Sequence, residues 1–137
     1  MKQYIAAFAG TSIVMVSLDM LWLGIIATPL YRQGIGHLMA DSPDIGVALL
    51  FYLVYSMGVV IFAVSPRASG SSWSTTLTMG GLFGFFAYAT YDLTNLATLR
   101  NWPLGLSLID MAWGTGVSAV SAAGGKAALG WATRKSK

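Results

Sequence analysis

Hydrophobic residues in this chain come in four long runs separated by short polar punctuation, a pattern that predicts four helices. The first run extends from about Tyr4 to Leu30, with Pro29 near its end. The polar stretch YRQGIGHLMADSPD follows. Its Ser42-Pro43-Asp44 reads as a helix start, with a serine cap, a proline at the first helical position and an acid in the first turn. A second run covers about Ile45 to Val64, and SPRASGSS (65–72) then breaks the chain with turn residues. The third covers about Trp73 to Leu99. RNWP (100–103) is a short connector, which makes spans three and four antiparallel neighbours. The fourth starts near Leu104 and fades around Gly130 into the tail WATRKSK.

Runs of this length decide the class, because about 20 apolar residues cross a bilayer as a helix. Only 9% of the residues are charged, 55% are hydrophobic and the mean hydropathy is +0.66. Soluble domains carry about 25% charged residues, so this chain cannot coat a water-facing surface. The runs are continuous rather than alternating, which argues against a membrane β-barrel. The expected fold is all-α: a polytopic membrane protein, one domain over 1–137, built as a four-transmembrane-helix bundle with spans 4–30, 45–64, 73–99 and 104–130. The start MKQYIAAFAG has the look of a signal peptide. The run continues past Asp19, however, too long for a signal core, and it reads as a retained first helix.

Charge adds orientation. Lys2, Arg67, Lys126, Arg134, Lys135 and Lys137 flank one side of the four spans, against Arg32 and Arg100 on the other. That imbalance predicts both termini in the cytoplasm. Trp73, Trp102, Tyr4, Tyr31 and Trp131 fall near the span boundaries, as interfacial aromatics do. The net charge of +3 sits mostly at the ends and speaks to lipid headgroups rather than nucleic acid. There is no cysteine, so disulfides, thiolate metal sites and cysteine nucleophiles are excluded. With His37 as the lone histidine, neither a metal site nor any cofactor is implied. His37 and Arg32 read as solvated loop residues.

The acids carry the candidate chemistry. All five are aspartates. Asp41 and Asp44 belong to the first loop and read as solvated charge and helix capping. Asp19, Asp92 and Asp110 lie inside apolar runs, and with the four-span topology all three fall in the outer half of the bilayer at overlapping depths. An acid at membrane depth costs about 2.5–3.5 kcal/mol on insertion scales. Three such costs call for offset by mutual hydrogen bonds, by a cation or by protonation. The expectation is one shared polar cluster facing the bundle interior.

Neighbouring residues recur at helical spacing around each acid. Span three carries Gly81, Gly84, Tyr88, Asp92 and Asn95 on one stripe; span four carries Asp110, Trp113, Val117, Ser121 and Gly124; span one carries Ser12, Asp19, Trp22 and Ile26. Gly80-x-x-x-Gly84 adds a close-approach surface. Tyr52 and Tyr55, early in span two, can offer hydroxyls to the same region. Asp-Met-x-Trp occurs twice, at Asp19–Trp22 and Asp110–Trp113, in spans of opposite direction. That leaves open an inverted repeat of the kind transporters use. Arg100 reads as an interfacial anchor, with a swing back to Asp92 as the alternative.

The run YDLTNLATLRNWP, followed by LIDMAWGT, resembles a bacterial family of small four-helix inner-membrane proteins catalogued as a domain of unknown function. The resemblance extends over nearly the whole chain from DMLWLG onward. It implies an inner-membrane location and four helices, with no assigned activity and no catalytic residues to carry over.

Three function classes stay open. The first is a site for a lipid or other apolar small molecule, formed by Asp19, Trp22, Tyr52, Tyr55, Tyr88, Asp92, Asn95, Asp110 and Trp113. A pair of carboxyls there can supply acid–base work, although nothing specifies a reaction. The structural counterpart of that reading is a polar knot that fixes helix packing, with the tryptophans as bulk. The second class is a small proton-coupled transporter in which Asp19 titrates. The third is an accessory or assembly subunit docking through its Gly/Ala/Ser faces. Membrane lipids are the expected partners, with a homodimer or a partner membrane protein left open.

Overall fold

Serine and aspartate at the run boundaries set where the helices begin. In the computed structural model, which describes residues 1–65 and 72–135, the chain is helical, with no strand among those residues. α1 (Lys2–Leu21) passes directly into a π-helical turn, Trp22–Ile26. α2 (Thr28–Ile35) and a 3₁₀ turn (Gly36–Leu38) follow. α3 (Ile45–Val59) also ends in a π-helical turn, Val60–Val64. α4 (Trp73–Thr98) and α5 (Leu104–Lys135) complete the fold. Lys2–Ile26 and Ile45–Val64 are long and apolar enough to cross a membrane.

Four details depart from the sequence pattern. Ser42 does not cap α3. Asp44 does, in extended conformation, its carboxylate accepting from Val47 N at 3.0 Å, because Pro43 keeps the preceding residues out of the helix. The stretch after Leu30 is not all loop: Pro29 sits in the first turn of α2, where its missing N–H costs nothing. Ile26 leaves the stripe it was expected to share with Asp19 and is 59% exposed. The π-helical turn inserts at Trp22 and shifts every later residue around the axis. Finally, α5 runs on to Lys135 rather than fading near Gly130. The central part of the SPRASGSS break (66–71), with Arg67, and the terminal Lys137 lie outside the described residues.

α5 is the axis of the packing, with α1 against one side and α4 against the other. Small residues permit both approaches. A Cβ on Gly80 would meet Ala122 Cβ at 2.7 Å and Ser118 O at 2.8 Å, and one on Gly84 would overlap Gly114 O and the Ser118 side chain. A Cβ on Gly10 would meet Ala128 Cβ at 2.7 Å and Gly124 O at 2.8 Å. Close backbone approach of this kind is how helices gain dispersion contact where lipid removes the hydrophobic drive. α3 joins differently. Tyr55, Ser56, Val59 and the following turn reach the core, which they share with Ala7, Met15, Val117 and Ala122. Its first half stands away, with Val47, Leu49, Leu50, Leu53 and Val54 exposed.

At the end opposite that half-free stretch, Thr133 donates to Gln3 Oε1 at 3.3 Å, so α1 begins beside the end of α5. At the far end of the bundle, Gly34 of α2 sits against Pro103 in the α4–α5 connector; a Cβ there would meet Pro103 Cγ at 2.9 Å. The connector turns through Asn101, whose φ of 59° is a left-handed conformation that asparagine tolerates. The first loop is thereby folded down onto the α4–α5 turn.

Candidate functional site

The stripe of α1 that faces α5 is Ala7, Thr11, Met15 and Asp19, spaced one helical turn apart. On α4 it includes Gly80, Gly84 and Asp92; on α5 it runs Ser107, Asp110, Gly114, Ser118 and Ser121. Asp19, Asp92 and Asp110 are therefore all interior: Asp19 is 4% exposed, Asp92 is completely buried and Asp110 is 6% exposed. Asp110 lies close enough to both Asp19 and Asp92 to repel each of them.

Each acid is treated differently by its surroundings. Asp19 accepts from the Trp113 indole N–H at 3.1 Å and also interacts with the Tyr52 hydroxyl. Asp110 accepts a hydrogen bond from the Tyr31 hydroxyl. Neither carboxylate oxygen of Asp92 has a hydrogen-bond partner. The Ser107 hydroxyl interacts with Asp92 at longer range, and that serine is engaged on its other side, where Trp102 Nε1 donates to it at 2.9 Å. The alternative for Arg100, a swing back to Asp92, is not adopted: Arg100 is exposed in the connector, and among the described residues no Lys, Arg or His is among the charges acting on the three acids.

Aromatic rings enclose the group. Trp22 and Trp113 stack with centroids 4.4 Å apart and planes 6° from parallel. The two Asp-Met-x-Trp segments thus face each other across the antiparallel α1–α5 contact. The exchange is half reciprocal. Trp113 reaches across to Asp19, whereas Trp22 Nε1 is buried without a hydrogen bond, interacting with Tyr31 at longer range, and Tyr31 bonds Asp110. Tyr88 packs its ring where a Cβ on Gly114 would stand. It meets Tyr55 edge-on at 6.2 Å, and Tyr55 in turn pairs its hydroxyl with Ser118 Oγ at 2.8 Å.

Eight of the nine residues singled out from sequence, Asp19, Trp22, Tyr52, Tyr55, Tyr88, Asp92, Asp110 and Trp113, meet in this region. Asn95 does not: it is half-buried nearer the end of α4 and interacts with Tyr91. Four members escape the sequence reading. Ser107 and Ser118 share the Asp110 face at three- and four-residue spacing, a signal present in the pattern. Tyr31 and Trp102 sit in polar segments that give no such periodicity. Trp102 is buried and Tyr31 is half-buried. Tyr31 lies beyond the first span, and burial, reinforced by its bond to Asp110, pushes its phenol above the usual tyrosine range.

Two surface hollows each include one tyrosine of this group. A groove of about 560 Å³ runs between α3 and α4, lined by apolar side chains such as Leu50, Val54, Phe62, Phe83 and Ala87, with Tyr55 among them. A cleft of about 360 Å³, lined by Leu23, Thr28, Tyr31, Ile35, Met39, Ala40 and Pro43, opens beside the first loop. Each hollow thus shares one tyrosine with the polar interior.

Residues 4–127 match the model of a family described as a predicted membrane protein, DUF2177. The chain belongs to that family. It is a predicted membrane protein of that family. No curated protein and no solved structure matches it.

Proposed function

We propose that the protein is a multi-pass protein of the bacterial inner membrane, one four-helix domain with both termini cytoplasmic, that binds a lipid or similar apolar molecule. α4 and α5 are long enough for spans, about 39 and 48 Å by their residue counts. Gly80, Gly84, Asp92, Ser107, Asp110 and Ser118 face inward while Leu82, Phe85, Phe86, Leu93, Leu108 and Val120 point out. Six of the eight basic residues flank the end that holds both termini, which favours a cytoplasmic assignment for it.

The observation that carries the binding reading is Tyr55. It lines the α3–α4 groove, and its hydroxyl and ring reach Ser118 and Tyr88 in the polar interior. From Val47 to Phe62 the groove follows α3 for about 22 Å, the length of an extended acyl chain. A tail lying there sets its polar end against Tyr52, Tyr55 and Asp19. Pockets with apolar walls and a few convergent polar groups are the usual form of small-molecule sites.

Native mass spectrometry of protein extracted mildly from its own membranes tests the reading. The wild type is expected to carry a bound lipid or apolar metabolite. Filling the groove with Val54→Trp removes it, while Leu108→Trp, on the lipid-facing side of α5, leaves it. Retention of the same adduct by Val54→Trp would exclude the groove.

A further inference from the structure

The far side of the cluster, around Asp92 and Asp110, faces the Tyr31 cleft rather than the α3–α4 groove. Two carboxylates repel each other there, and Asp92 has neither a hydrogen bond nor a basic neighbour among the described residues. Lys126 is no candidate, since it lies at the Thr76–Trp73 end of the bundle, about 24 Å along α5 from Asp110. Arg32 lines an adjoining polar cleft with Asp41, which shares Met39 and Ala40 with the Tyr31 cleft, and it does not line the Tyr31 cleft itself. A buried carboxylate in this condition is relieved by protonation or by a donor supplied from elsewhere.

Tyr31 shows where that donor can enter. Its hydroxyl is bonded to Asp110 and lies within electrostatic range of Asp92, while its ring forms a wall of the 360 Å³ cleft. Tyr31 therefore belongs both to the cleft and to the hydrogen bonding of Asp110. The rest of the cleft is Leu23, Thr28, Ile35, Met39, Ala40 and Pro43, apolar except for one threonine. Tyr91 stands on the other side, edge-on to Trp102 at 6.0 Å and within range of both acids.

We infer that Asp92 and Asp110 form a binding site for a primary ammonium group bearing an apolar substituent, entered through the Tyr31 cleft. The ammonium has three N–H donors. Two satisfy Asp92 and Asp110, and the third meets the Tyr31 hydroxyl once Tyr31 gives up Asp110. The positive charge neutralises the carboxylates, and the Tyr31 and Tyr91 rings supply faces that attract a cation. The substituent fills the apolar cleft. A free alkylamine and the amino head of a membrane lipid share this chemistry. The site is separate from the α3–α4 groove, so it stands or falls without the proposed tail site.

The test uses the full chain in maltoside micelles and radiolabelled n-butylammonium in equilibrium dialysis, with n-butanol and butyrate as chain-matched probes. Saturable binding of butylammonium is expected, about tenfold or more tighter than butanol, as one charge-assisted contact supplies. Asp92→Asn and Asp110→Asn are each expected to lose about that factor, while Asp41→Asn, in the neighbouring polar cleft, leaves binding unchanged. Equal binding of the three probes, or binding abolished by Asp41→Asn and untouched by Asp92→Asn and Asp110→Asn, overturns the inference. If a carboxamide variant does not fold, the wild-type probe series and the Asp41→Asn comparison decide. In nanodiscs, displacement of butylammonium by phosphatidylethanolamine but not phosphatidylcholine identifies a lipid source. No displacement by either identifies a free amine.

Discussion

The Trp113 indole donates to Asp19 at 3.1 Å while its ring lies face to face with Trp22, so one side chain joins two Asp-Met-x-Trp segments by two different forces. The hydrogen bond satisfies an interior carboxylate, and the stack fixes the rotational setting of α1 against α5. Because only Trp113 uses its N–H, the two tryptophans are not equivalent. Trp113→Phe should destabilise the fold by about 1.5–3 kcal/mol, the worth of a hydrogen bond to a charged group. Trp22→Phe should cost less, since its N–H has no hydrogen bond to lose. Reversible unfolding in mixed micelles reads the difference; equal losses would contradict the asymmetry.

The three aspartates should separate by stability in the same assay. Asp19→Asn and Asp110→Asn each weaken an existing bond and should be destabilising by about 1–3 kcal/mol. Asp92→Asn removes a buried charge that has no hydrogen bond, and should be neutral or stabilising by about 1–3 kcal/mol. A gain of stability at Asp92 paired with loss of amine binding is the trade-off expected of a functional position.

Tyr31 links pH to stability. Its phenol is raised in the folded protein relative to about 10 in an unfolded chain. The folded state therefore holds the proton more tightly, and the associated stability is complete below about pH 10 and declines as the pH rises further. Tyr31→Phe should lower stability at neutral pH by about 1–3 kcal/mol and also flatten the alkaline decline. An unchanged alkaline limb would remove Tyr31 from that role.

Glycine positions give a packing test independent of charge. Gly84→Ala drives a methyl into the Gly114 carbonyl and Ser118, and Gly114→Ala drives one into the Tyr88 ring. Each should cost about 1–3 kcal/mol as overpacking. A Cβ on Gly116 meets nothing, so Gly116→Ala should be neutral or stabilising by up to about 1 kcal/mol.

Much of this protein is written along the chain. Four apolar runs bounded by Asp44, Ser72 and the RNWP connector set four long helices to within a few residues, because hydrophobic length and capping chemistry are local properties. The expectation that Asp19, Asp92 and Asp110 turn inward is equally local, since lipid penalises acids on any outward face. Other features depend on how the helices meet. Nothing near Tyr31 in sequence indicates that the first loop folds down to reach Asp110, because the loop's path is set by Gly34 resting on Pro103. That Trp113 rather than Trp22 reaches an acid is decided where α1 and α5 meet, since Trp113 bonds the aspartate of the facing helix. That Asp92 alone is left without a hydrogen bond is decided by three helices at once. Periodicity reports which way a residue points, and only the assembled bundle determines what stands opposite it.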